Sequence, residues 1–519
     1  MVRTSALNPV NNSTFVPKLS RAALLGITFL VSYAYFYQGG GWNQNTRFDL
    51  VRAIVERQTL QIDVYQGNTG DKAVMDGHYY SDKAPGASLV AVPAVAAVRA
   101  ILSVSGWDVF SPEVIAGLSY VATFAAAGIP AALAALCVFW SARRAGCDDH
   151  AAALAAVICA LGTPLFAYAT LLYGHALAAG CSMLAFIAAW QVERASGRAA
   201  VRWCAVTGAA AGWAVITEFP SSIPSAMTVA VAWVSLRRGD HAWRSTLALG
   251  GGLSIGALVL LTYNWLAFGS LFHIGYTSEQ AGFDAMKTGI FGVNWPNPRI
   301  LLSLLFGPYR GLLPLAPVLI VAPIGLWLWM RDRRTRVFGT LAVSIAGYYF
   351  LMTSGYAYWD GGWSYGSRHL GPALPFLCVA IAPAWQAAGR IGRMAILMLA
   401  LVGIGESLVA VATTPQPPGG AAAPASPMRD QLWPAFLSGD FPIGWQSVLE
   451  RNAPSEPLSE LERRGVPRAS WNLGQKIGLR GHASLVPLVL VWVVATLMWF
   501  RAPRVREPHQ DGKGRASAM

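Results

Sequence analysis

Long apolar runs separated by short polar links are the main pattern of the chain. Most runs have about the 20 residues that a helix needs to cross a bilayer. They predict twelve membrane-spanning helices, at 21–38, 113–140, 151–171, 174–192, 203–218, 222–236, 246–266, 311–330, 337–354, 370–388, 394–412 and 484–500. The predicted fold class is therefore an all-α polytopic membrane protein of about 12 transmembrane helices, with interfacial helices on its outer face.

One further apolar run, Ala84–Val104, does not fit this series. It contains Pro85, Pro93 and Arg99. If it were counted as a span, every later loop would change sides and the basic clusters would face outwards. We therefore predict that this run is an interfacial or re-entrant segment on the outer leaflet.

Charge sets the orientation. The chain is 54% apolar and only 13% charged, about half the share of a soluble protein, with a net charge of +13. The basic residues cluster in short links such as Arg143-Arg144, Arg237-Arg238 and Arg331–Arg336, which is the positive-inside pattern. This placement argues against nucleic-acid binding. It predicts a multi-pass protein of a bacterial inner membrane with both chain ends in the cytoplasm.

The remaining composition excludes other classes of protein. A disordered chain and an ordinary cytosolic enzyme do not fit the apolar content. Six cysteines occur without a C-x-x-C pair, so neither a disulfide framework nor a zinc site is indicated. No nucleotide-binding glycine motif and no internal repeat is evident.

The spans divide the chain into three parts. Residues 1–412 are the predicted transmembrane catalytic module, which includes a large first outer loop at 39–112. Residues 413–483 are an outer loop or cap that begins with a Pro/Gly-rich, flexible linker. Residues 484–519 hold the last transmembrane helix and a basic cytoplasmic tail.

The first outer loop concentrates charge in a chain that otherwise avoids it. Arg47–Arg57 has the spacing of an amphipathic helix, with Asp49 in its first turn. The run His78-Tyr-Tyr-Ser-Asp82-Lys83 follows before Pro85. These charges could simply solvate a loop, but other polar clusters share the same face.

Those clusters stand at the outer ends of later spans. Each has an ordinary explanation when taken singly: a snorkelling carboxylate, a packing histidine or an interfacial aromatic belt. Taken together on one face, they indicate a substrate site. The residues are His175, Glu218, Tyr276, Tyr309, Arg310, Trp359, Asp360, Trp363, Tyr365, Arg368 and His369.

This combination of residue types suits a lipid-linked anionic substrate. Arg and Lys neutralise a phosphate, aromatic faces stack on sugars, and a carboxylate can deprotonate an acceptor hydroxyl. No cofactor is called for. A divalent metal is not required, because an activated phosphate-linked sugar needs only base assistance and leaving-group stabilisation, although metal assistance by clustered acids stays open.

The chain resembles the GT-C-type membrane glycosyltransferases, among them bacterial relatives of the protein O-mannosyltransferases and the lipid A aminoarabinose transferases. The resemblance is strongest over 44–88, in Asn45-Thr-Arg47-Phe-Asp49 and in Tyr80-Ser-Asp82-Lys83-Ala-Pro85. It implies transfer of a hexosyl or pentosyl group from a polyprenyl-phosphate-linked donor, on the periplasmic side, to a glycan, lipid or protein acceptor. It also implies inversion with a carboxylate base.

Site residues follow from the resemblance, with one departure. Gln44-Asn45 stands where the family has an acidic pair, so Asp49 is the predicted catalytic base and Asp82 the alternative. Lys83, Arg310 and Arg368 are the predicted donor-phosphate ligands. The predicted substrate-binding residues are Arg47, His78, Tyr80, His175, Glu218, Tyr276, Tyr309, Trp359, Asp360, Trp363, Tyr365 and His369.

Two other functions fit parts of the pattern. A transporter or flippase for a lipid-linked or amphiphilic substrate would need charged residues at the bilayer midplane and matching halves, and Glu406 is the one acid placed well inside a late span. A membrane-embedded ligase or polymerase of surface glycans would share the chemistry and differ in its acceptor.

Overall fold

A computed structural model describes residues 20–236, 242–278, 284–420, 423–443, 448–449 and 470–501. Helices dominate these residues, and the strands are short: β1 Phe36–Gln38, β2 Lys72–Met75, β3 His78–Ser81 and β4 Ser470–Asn472. The predicted class, an all-α polytopic membrane protein, is confirmed. The basic tail 502–519 and the Arg237-Arg238 pair lie outside the described residues.

Every predicted span contains helix. The helices are α1 Arg21–Ala34, α2 Trp42–Arg57, α3 Gly86–Val104, α4 Pro112–Thr123, α5 Ile129–Arg144, α6 Asp149–Leu161, α7 Leu165–Ala169, α8 Gly174–Val192, α9 Gly197–Thr217, α10 Ser222–Leu236, α11 Ala242–Phe268, α12 Pro298–Phe306, α13 Leu312–Leu315, α14 Ala322–Arg331, α15 Arg336–Gly355, α16 Leu374–Cys378, α17 Ile381–Ala387, α18 Arg390–Thr413, α19 Trp433–Ser438, α20 Leu473–Lys476 and α21 Val486–Arg501.

Within the described residues, ten helical stretches are long and apolar enough to cross a membrane. One of them is α3. The other nine, together with the shorter apolar helices Arg21–Ala34, Asp149–Leu161 and Pro317–Arg331, coincide with the twelve predicted spans. Apolar sequence becomes helix here because a bilayer offers the backbone no hydrogen-bond partner outside the chain.

α3 begins at the end of the bundle where α9 ends, and the helix that follows it, α4, contacts the end of α1. At its start, a Cβ on Gly86 would meet Thr217 Oγ1, where α9 ends. After its end, a short link leads into α4, and Tyr120 of α4 donates a hydrogen bond to the carbonyl oxygen of Ala34 at the end of α1, over 2.8 Å. This geometry supports the prediction that the segment lies along the outer leaflet. We call this end of the bundle the loop end.

Small residues allow the helices to pack closely. α9 and α11 cross where Gly212 meets Gly256, and a Cβ on Gly256 would lie 2.5 Å from the Gly212 carbonyl oxygen. Alanines of α5, α6 and α8 are buried in the main core. Without a hydrophobic driving force between helices in lipid, such close backbone contact is a main source of association. The packing brings the helix ends at the loop end together.

A β-hairpin delivers the Asp82-Lys83 pair to the loop end. β2 and β3 are joined by the two-residue turn Asp76-Gly77, whose φ angles are 51° and 83°. Two consecutive positive φ values are typical of a type I′ turn, which suits the twist of a hairpin. β3 ends at Ser81, so Lys83 follows where the chain turns back to the bundle.

A second ribbon ties the last outer loop to the first. β1 follows α1 directly and pairs antiparallel with β4, with Phe36 opposite Asn472. Asn472 then caps α20 in a capping box with Gln475, which satisfies two terminal backbone donors. The end of the 413–483 loop is thereby fixed beside the start of the first outer loop.

Candidate active site

A polar cavity of about 120 Å³ opens among the loops at the loop end. We call it the charged cavity. Six separate parts of the chain meet there: α2, the hairpin region, the start of α8, the end of α9, the segment that follows α11 and the segment that follows α15. Its lining residues are Asn43, Arg47, Asp71, Lys83, His175, Glu218, Tyr276, Met286, Tyr356, Tyr358, Gly361, Gly362, Arg368 and His369.

A buried ion pair joins α2 to the end of α9 in the cavity wall. Arg47 Nη2 donates to Glu218 Oε1 over 3.0 Å, and Arg47 Nη1 donates to the carbonyl oxygen of Ala84 over 3.1 Å. His175 Nδ1 lies 3.7 Å from the same Oε1. A Cβ on Gly174 would overlap this carboxylate, so the glycine before His175 makes room for Glu218.

Lys83 lies between two carboxylates. Its Nζ is 2.6 Å from Asp82 Oδ2 and 3.1 Å from Asp71 Oδ2, and its side chain is 8% exposed. The ring centre of Tyr276 lies 5.1 Å from Nζ, within the range of a cation–π contact. Asp71 faces the charged cavity, whereas Asp82 supports Lys83 from behind. The two carboxylates offset the cost of burying the ammonium.

Arg368 supplies the third cation. Its guanidinium carbon lies 5.0 Å from the ring centre of Tyr173. The neighbouring His369 ring meets the His175 ring edge to face at 5.5 Å. Among the described residues, no carboxylate forms an ion pair with Arg368. The lining thus carries three cationic side chains and two carboxylates, with Asp82 behind Lys83 as a third carboxylate, and Arg368 is a cation of this lining that can meet an anion.

A second cavity of about 430 Å³ adjoins the charged cavity, and we call it the aromatic cavity. The two share Asn43, Asp71, Tyr358, Gly362 and Arg368. The other lining residues are Gly41, Trp42, Tyr173, Asp360, Trp363, Gln416, Gly419 and Gly420. A group bound in one cavity would therefore lie next to a group bound in the other.

Arg310 holds the loops that form these cavities. Its guanidinium donates to the carbonyl oxygens of Ser364, Gly362 (2.8 Å) and Pro418 (3.1 Å), and the residue is 1% exposed. The predicted flexible linker after α18 is therefore fastened to the segment that follows α15. Tyr365 strengthens the junction, because its backbone N–H donates to the carbonyl oxygen of Pro415 over 3.0 Å. Arg310 does not line the charged cavity.

Asp360 is held as a carboxylate at the edge of the aromatic cavity. Burial by itself would raise its pKa, but hydrogen bonds from Tyr309 Oη (2.9 Å) and from the backbone N–H groups of Gly362 and Gly420 lower the pKa below its ordinary value. Gly419 meets Gly362 backbone to backbone, and a Cβ there would collide with it.

Neither predicted catalytic carboxylate lines the charged cavity. Asp49 is fully buried, and its Oδ1 accepts a hydrogen bond from Asn68 Nδ2 over 3.1 Å. Burial raises the pKa of the Asp49 carboxyl well above its usual value, against the lowering effect of Asn68. Asp82 lies behind Lys83. The carboxylates that do face the cavity are Asp71 and Glu218.

Gln44 and Asn45, which stand where the family has an acidic pair, form hydrogen bonds with backbone groups. Gln44 Oε1 accepts from the N–H of Leu172 over 2.7 Å, and its Nε2 donates to the carbonyl oxygen of Gly40. Asn45 Nδ2 donates to the carbonyl oxygen of Asn68 over 2.8 Å. Both side chains are buried and tie α2 to its neighbours.

The other predicted site residues divide between the cavities and their surroundings. Arg47, Lys83, His175, Glu218, Tyr276, Arg368 and His369 line the charged cavity, and Asp360 and Trp363 line the aromatic cavity. His78 pairs with Asp63 on the hairpin surface at 2.7 Å. Tyr80, Tyr309, Trp359 and Tyr365 line neither cavity; Tyr309 supports Asp360.

Asp71 is the residue that sequence reasoning passed over. The hairpin register pairs Lys72 with Ser81, which places Asp71 opposite Asp82. The Asp76-Gly77 turn was the available signal, because counting outwards from it gives this register. Asn43, Tyr356 and Tyr358 were also not selected, and their approach to the cavity depends on tertiary packing.

In the described part of the chain, no group of three or more His, Cys, Asp or Glu side chains is placed so that it could hold a metal ion. Asp71 and Asp82 converge on Lys83 instead. The cationic side chains that line the charged cavity are of the type that binds an anion.

Comparison with known proteins gives a similarity of fold. No protein-family model matches the chain, and no curated protein matches it. Two crystal structures of ArnT from Cupriavidus metallidurans, one in the apo state and one bound to undecaprenyl phosphate, are similar at 16% identity, with TM-scores of 0.49 and 0.48. Each match covers 92% of this chain and 74% of the other.

Proposed function

We propose that the protein is a glycosyltransferase that moves a sugar from a polyprenyl-phosphate donor to an acceptor on the periplasmic face of the inner membrane. The observation that carries the proposal is the charged cavity, in which Arg47, Lys83 and Arg368 converge at the loop end of a multi-pass protein. Polyprenyl phosphate is also the class of lipid bound in the ArnT structure. The phosphate of a membrane lipid lies at the bilayer surface, which is where the proposal places the loop end.

Lys83 and Arg368 bind the donor phosphate in this proposal. Both cations face the charged cavity, and hydrogen bonds from cationic donors to phosphate are short and strong. They also stabilise the leaving group, because negative charge grows on the phosphate oxygen as the bond to the sugar breaks. Arg47 is committed to Glu218 and acts mainly by positioning.

An apolar groove gives the lipid chain a path. It lies between α9, α10 and α11, has a volume of about 460 Å³ and begins at Val215 and Ser222, on either side of Glu218. It continues along α10 to Trp233. A chain bound there would lie beside the end of α9, which Glu218 of the charged cavity follows directly.

Asp71 is the proposed general base. It stands in the wall shared by both cavities, so it can meet the acceptor and the sugar together. A phosphate that binds Lys83 would replace Asp71 as its partner and release the carboxylate. The acceptor oxygen attacks the anomeric carbon from the side opposite the phosphate, which inverts that centre. Asp49 stays the sequence-based prediction for this role.

The alternative of a transporter or flippase gains no support from Glu406. This carboxylate on α18 accepts hydrogen bonds from Trp433 Nε1 at 3.3 and 3.2 Å, and Trp433 belongs to the last outer loop. The Glu406 carboxylate therefore helps to attach the last outer loop to α18. Residues 1–412 are proposed as the catalytic module and 413–483 as its cover, since Gln416 and Gly420 reach the aromatic cavity.

The test is turnover with defined donors. The purified protein in lipid nanodiscs is incubated with undecaprenyl phosphate that carries mannose, galactose, glucosamine or arabinose, each in turn, and free lipid phosphate is measured. We expect release with one donor and its loss in Lys83→Ala. Lys476→Ala, which removes an exposed lysine from α20, is the matched control. No release with any donor, together with movement of donor across vesicles, would favour transport.

Orientation is tested separately. Cysteines introduced one at a time near Asp71 and near Arg368 should react with an impermeant reagent from the periplasmic side. A cysteine in the 331–336 link should react only after permeabilisation. If the positions near Asp71 and near Arg368 were labelled from opposite sides of the membrane, the proposal of one active site would be contradicted.

A further inference from the structure

We infer that the aromatic cavity is the acceptor subsite and that the acceptor is a saccharide, so that the transferred sugar extends a glycan. The inference rests on the proposed function for the transfer step. The cavity, at about 430 Å³, falls within the roughly 300–1,000 Å³ of small-molecule sites. It is separate from the lipid groove and adjoins the phosphate site.

Aromatic side chains form much of its wall. Trp42, Tyr173, Tyr358 and Trp363 all line it. Trp42 is 41% exposed, and its ring packs against Gly70, where a Cβ would lie 2.7 Å from the ring, so the indole is held in place from one side. Flat apolar faces beside polar groups suit the C–H faces of sugar rings.

Polar groups lie between these rings. Tyr173 Oη lies 2.7 Å from the carbonyl oxygen of Trp363 and 3.1 Å from Gln416 Oε1, and Gln416 Nε2 donates to the carbonyl oxygen of Gly40. These contacts fix the amide and the phenol in orientation. Asn43, whose Oδ1 accepts from Arg47 Nε over 3.2 Å, lines both cavities. A ligand rich in hydroxyl groups matches such alternating donors and acceptors.

Asp360 argues against a peptide acceptor. The backbone N–H groups of Gly362 and Gly420, which could otherwise receive a peptide carbonyl, donate to its carboxylate. The carboxylate is itself oriented by Tyr309 and remains an acceptor for ligand hydroxyls. The charged side chains of Asp71, Asp360 and Arg368 in this wall suit a ligand with hydroxyl groups better than an acyl chain.

The shared wall specifies the reacting geometry. Asp71 belongs to both cavities, so a saccharide hydroxyl in the aromatic cavity can lie between its carboxylate and a sugar held at the charged cavity. The hydroxyl oxygen forms a bond to the anomeric carbon, and its proton passes to Asp71. The bond from that carbon to the phosphate oxygen breaks, and its electron pair leaves with the polyprenyl phosphate. No oxidant or further reactant is needed.

The experiment measures saccharide binding without the donor. Saturation-transfer difference NMR is recorded on the full-length protein in nanodiscs with short oligosaccharides of hexose or N-acetylhexosamine units, with Ser/Thr-containing peptides, and with soluble short-chain phosphatidylglycerol. We expect binding of an oligosaccharide, weakened about tenfold in Trp363→Ala and partly restored in Trp363→Phe. The control Trp295→Ala, at a residue 92% exposed outside both cavities, should bind like the wild type.

The outcomes separate the two proposals. Oligosaccharide binding that depends on Trp363, without lipid phosphate release from any donor, would sustain the saccharide site and overturn the glycosyltransferase. Donor turnover with no oligosaccharide binding, or with binding that Trp363→Ala leaves intact, would overturn the acceptor inference alone. Specific binding of the peptide or of phosphatidylglycerol in place of the oligosaccharides would overturn it as well.

Discussion

Lys83 Nζ lies 3.1 Å from Asp71 Oδ2 because the hairpin register sets the start of β2 opposite the end of β3. The pair puts a phosphate ligand and a candidate base on one short piece of chain. In the proposed mechanism, donor binding exchanges this ion pair for a lysine–phosphate contact. The charged cavity is thereby prepared for an anion and for a proton transfer at neighbouring atoms.

Removing the charge of Lys83 should weaken donor binding. Lys83→Ala is expected to lower the affinity for polyprenyl phosphate at least tenfold, because a charge-assisted contact in a buried site is lost. Lys83→Arg should retain most of the affinity, since the phosphate needs a cation. Binding is measured by titration of the lipid into nanodisc-embedded protein, with Lys476→Ala as the control. Equal, negligible effects of both Lys83 variants would show that Lys83 does not contact the donor.

The base is assigned by comparing two Asp→Asn variants. Asp71→Asn should reduce kcat about a hundredfold or more, the usual worth of a general base, while the protein still binds lipid phosphate. Asp49→Asn should retain most of the activity, because its carboxyl is buried against Asn68 away from the cavity. Single-turnover rates with the preferred donor decide the matter. The reverse ranking would restore Asp49 as the base.

The raised pKa of Asp49 predicts how stability depends on pH. The folded protein holds this proton more tightly than the unfolded chain, so the free energy of unfolding falls as pH rises above the ordinary value of about 3.9. Asp49→Asn removes the ionising group. Relative to the wild type, it should gain stability between pH 4 and pH 7, as followed by thermal unfolding in detergent. A relative loss over that range would mean that the folded site favours the carboxylate.

The Arg47–Glu218 pair is expected to stabilise the cavity wall as a unit. Arg47→Met leaves Glu218 buried without its main partner and should cost about 3–5 kcal/mol. The double variant Arg47→Met/Glu218→Gln should cost less than the sum of the two single variants. Unfolding by SDS titration measures the cycle, and the exposed Arg429 replaced by Met is the control. Additive costs would show that the two side chains act independently.

The apolar runs made the helical segments predictable. A bilayer leaves an apolar stretch no alternative to helix, and each predicted span coincides with one or more helices. The run at 84–104 shows the limit of that reasoning. Its composition alone allows a span, and its placement on the outer leaflet is argued from Gly86, which lies beside the end of α9, and from Tyr120 of the following helix, which contacts the end of α1.

The sequence predicts which residue types the site contains. It does not predict which side of a helix faces the cavity. Arg47 and Asp49 are two positions apart on one helix, about 200° around its axis, so they point to opposite sides. Arg47 faces the cavity, and Asp49 therefore cannot. This constraint was available from the sequence once either direction was known.

Arg310 illustrates what sequence does not reveal. Its guanidinium is occupied by the carbonyl oxygens of Gly362 and Pro418, which are distant from it in the chain. In the sequence, an arginine that binds a phosphate cannot be distinguished from one that binds backbone carbonyl oxygens. Only the tertiary arrangement distinguishes the two roles.

The central claim is that the charged cavity holds the phosphate of a lipid-linked donor. An electron cryo-microscopy structure of the protein in nanodiscs with undecaprenyl phosphate tests it most directly. We predict density for the phosphate in the charged cavity, in hydrogen-bond contact with Lys83 Nζ and with the Arg368 guanidinium. A phosphate bound elsewhere, with Lys83 still paired to Asp71, would contradict the claim.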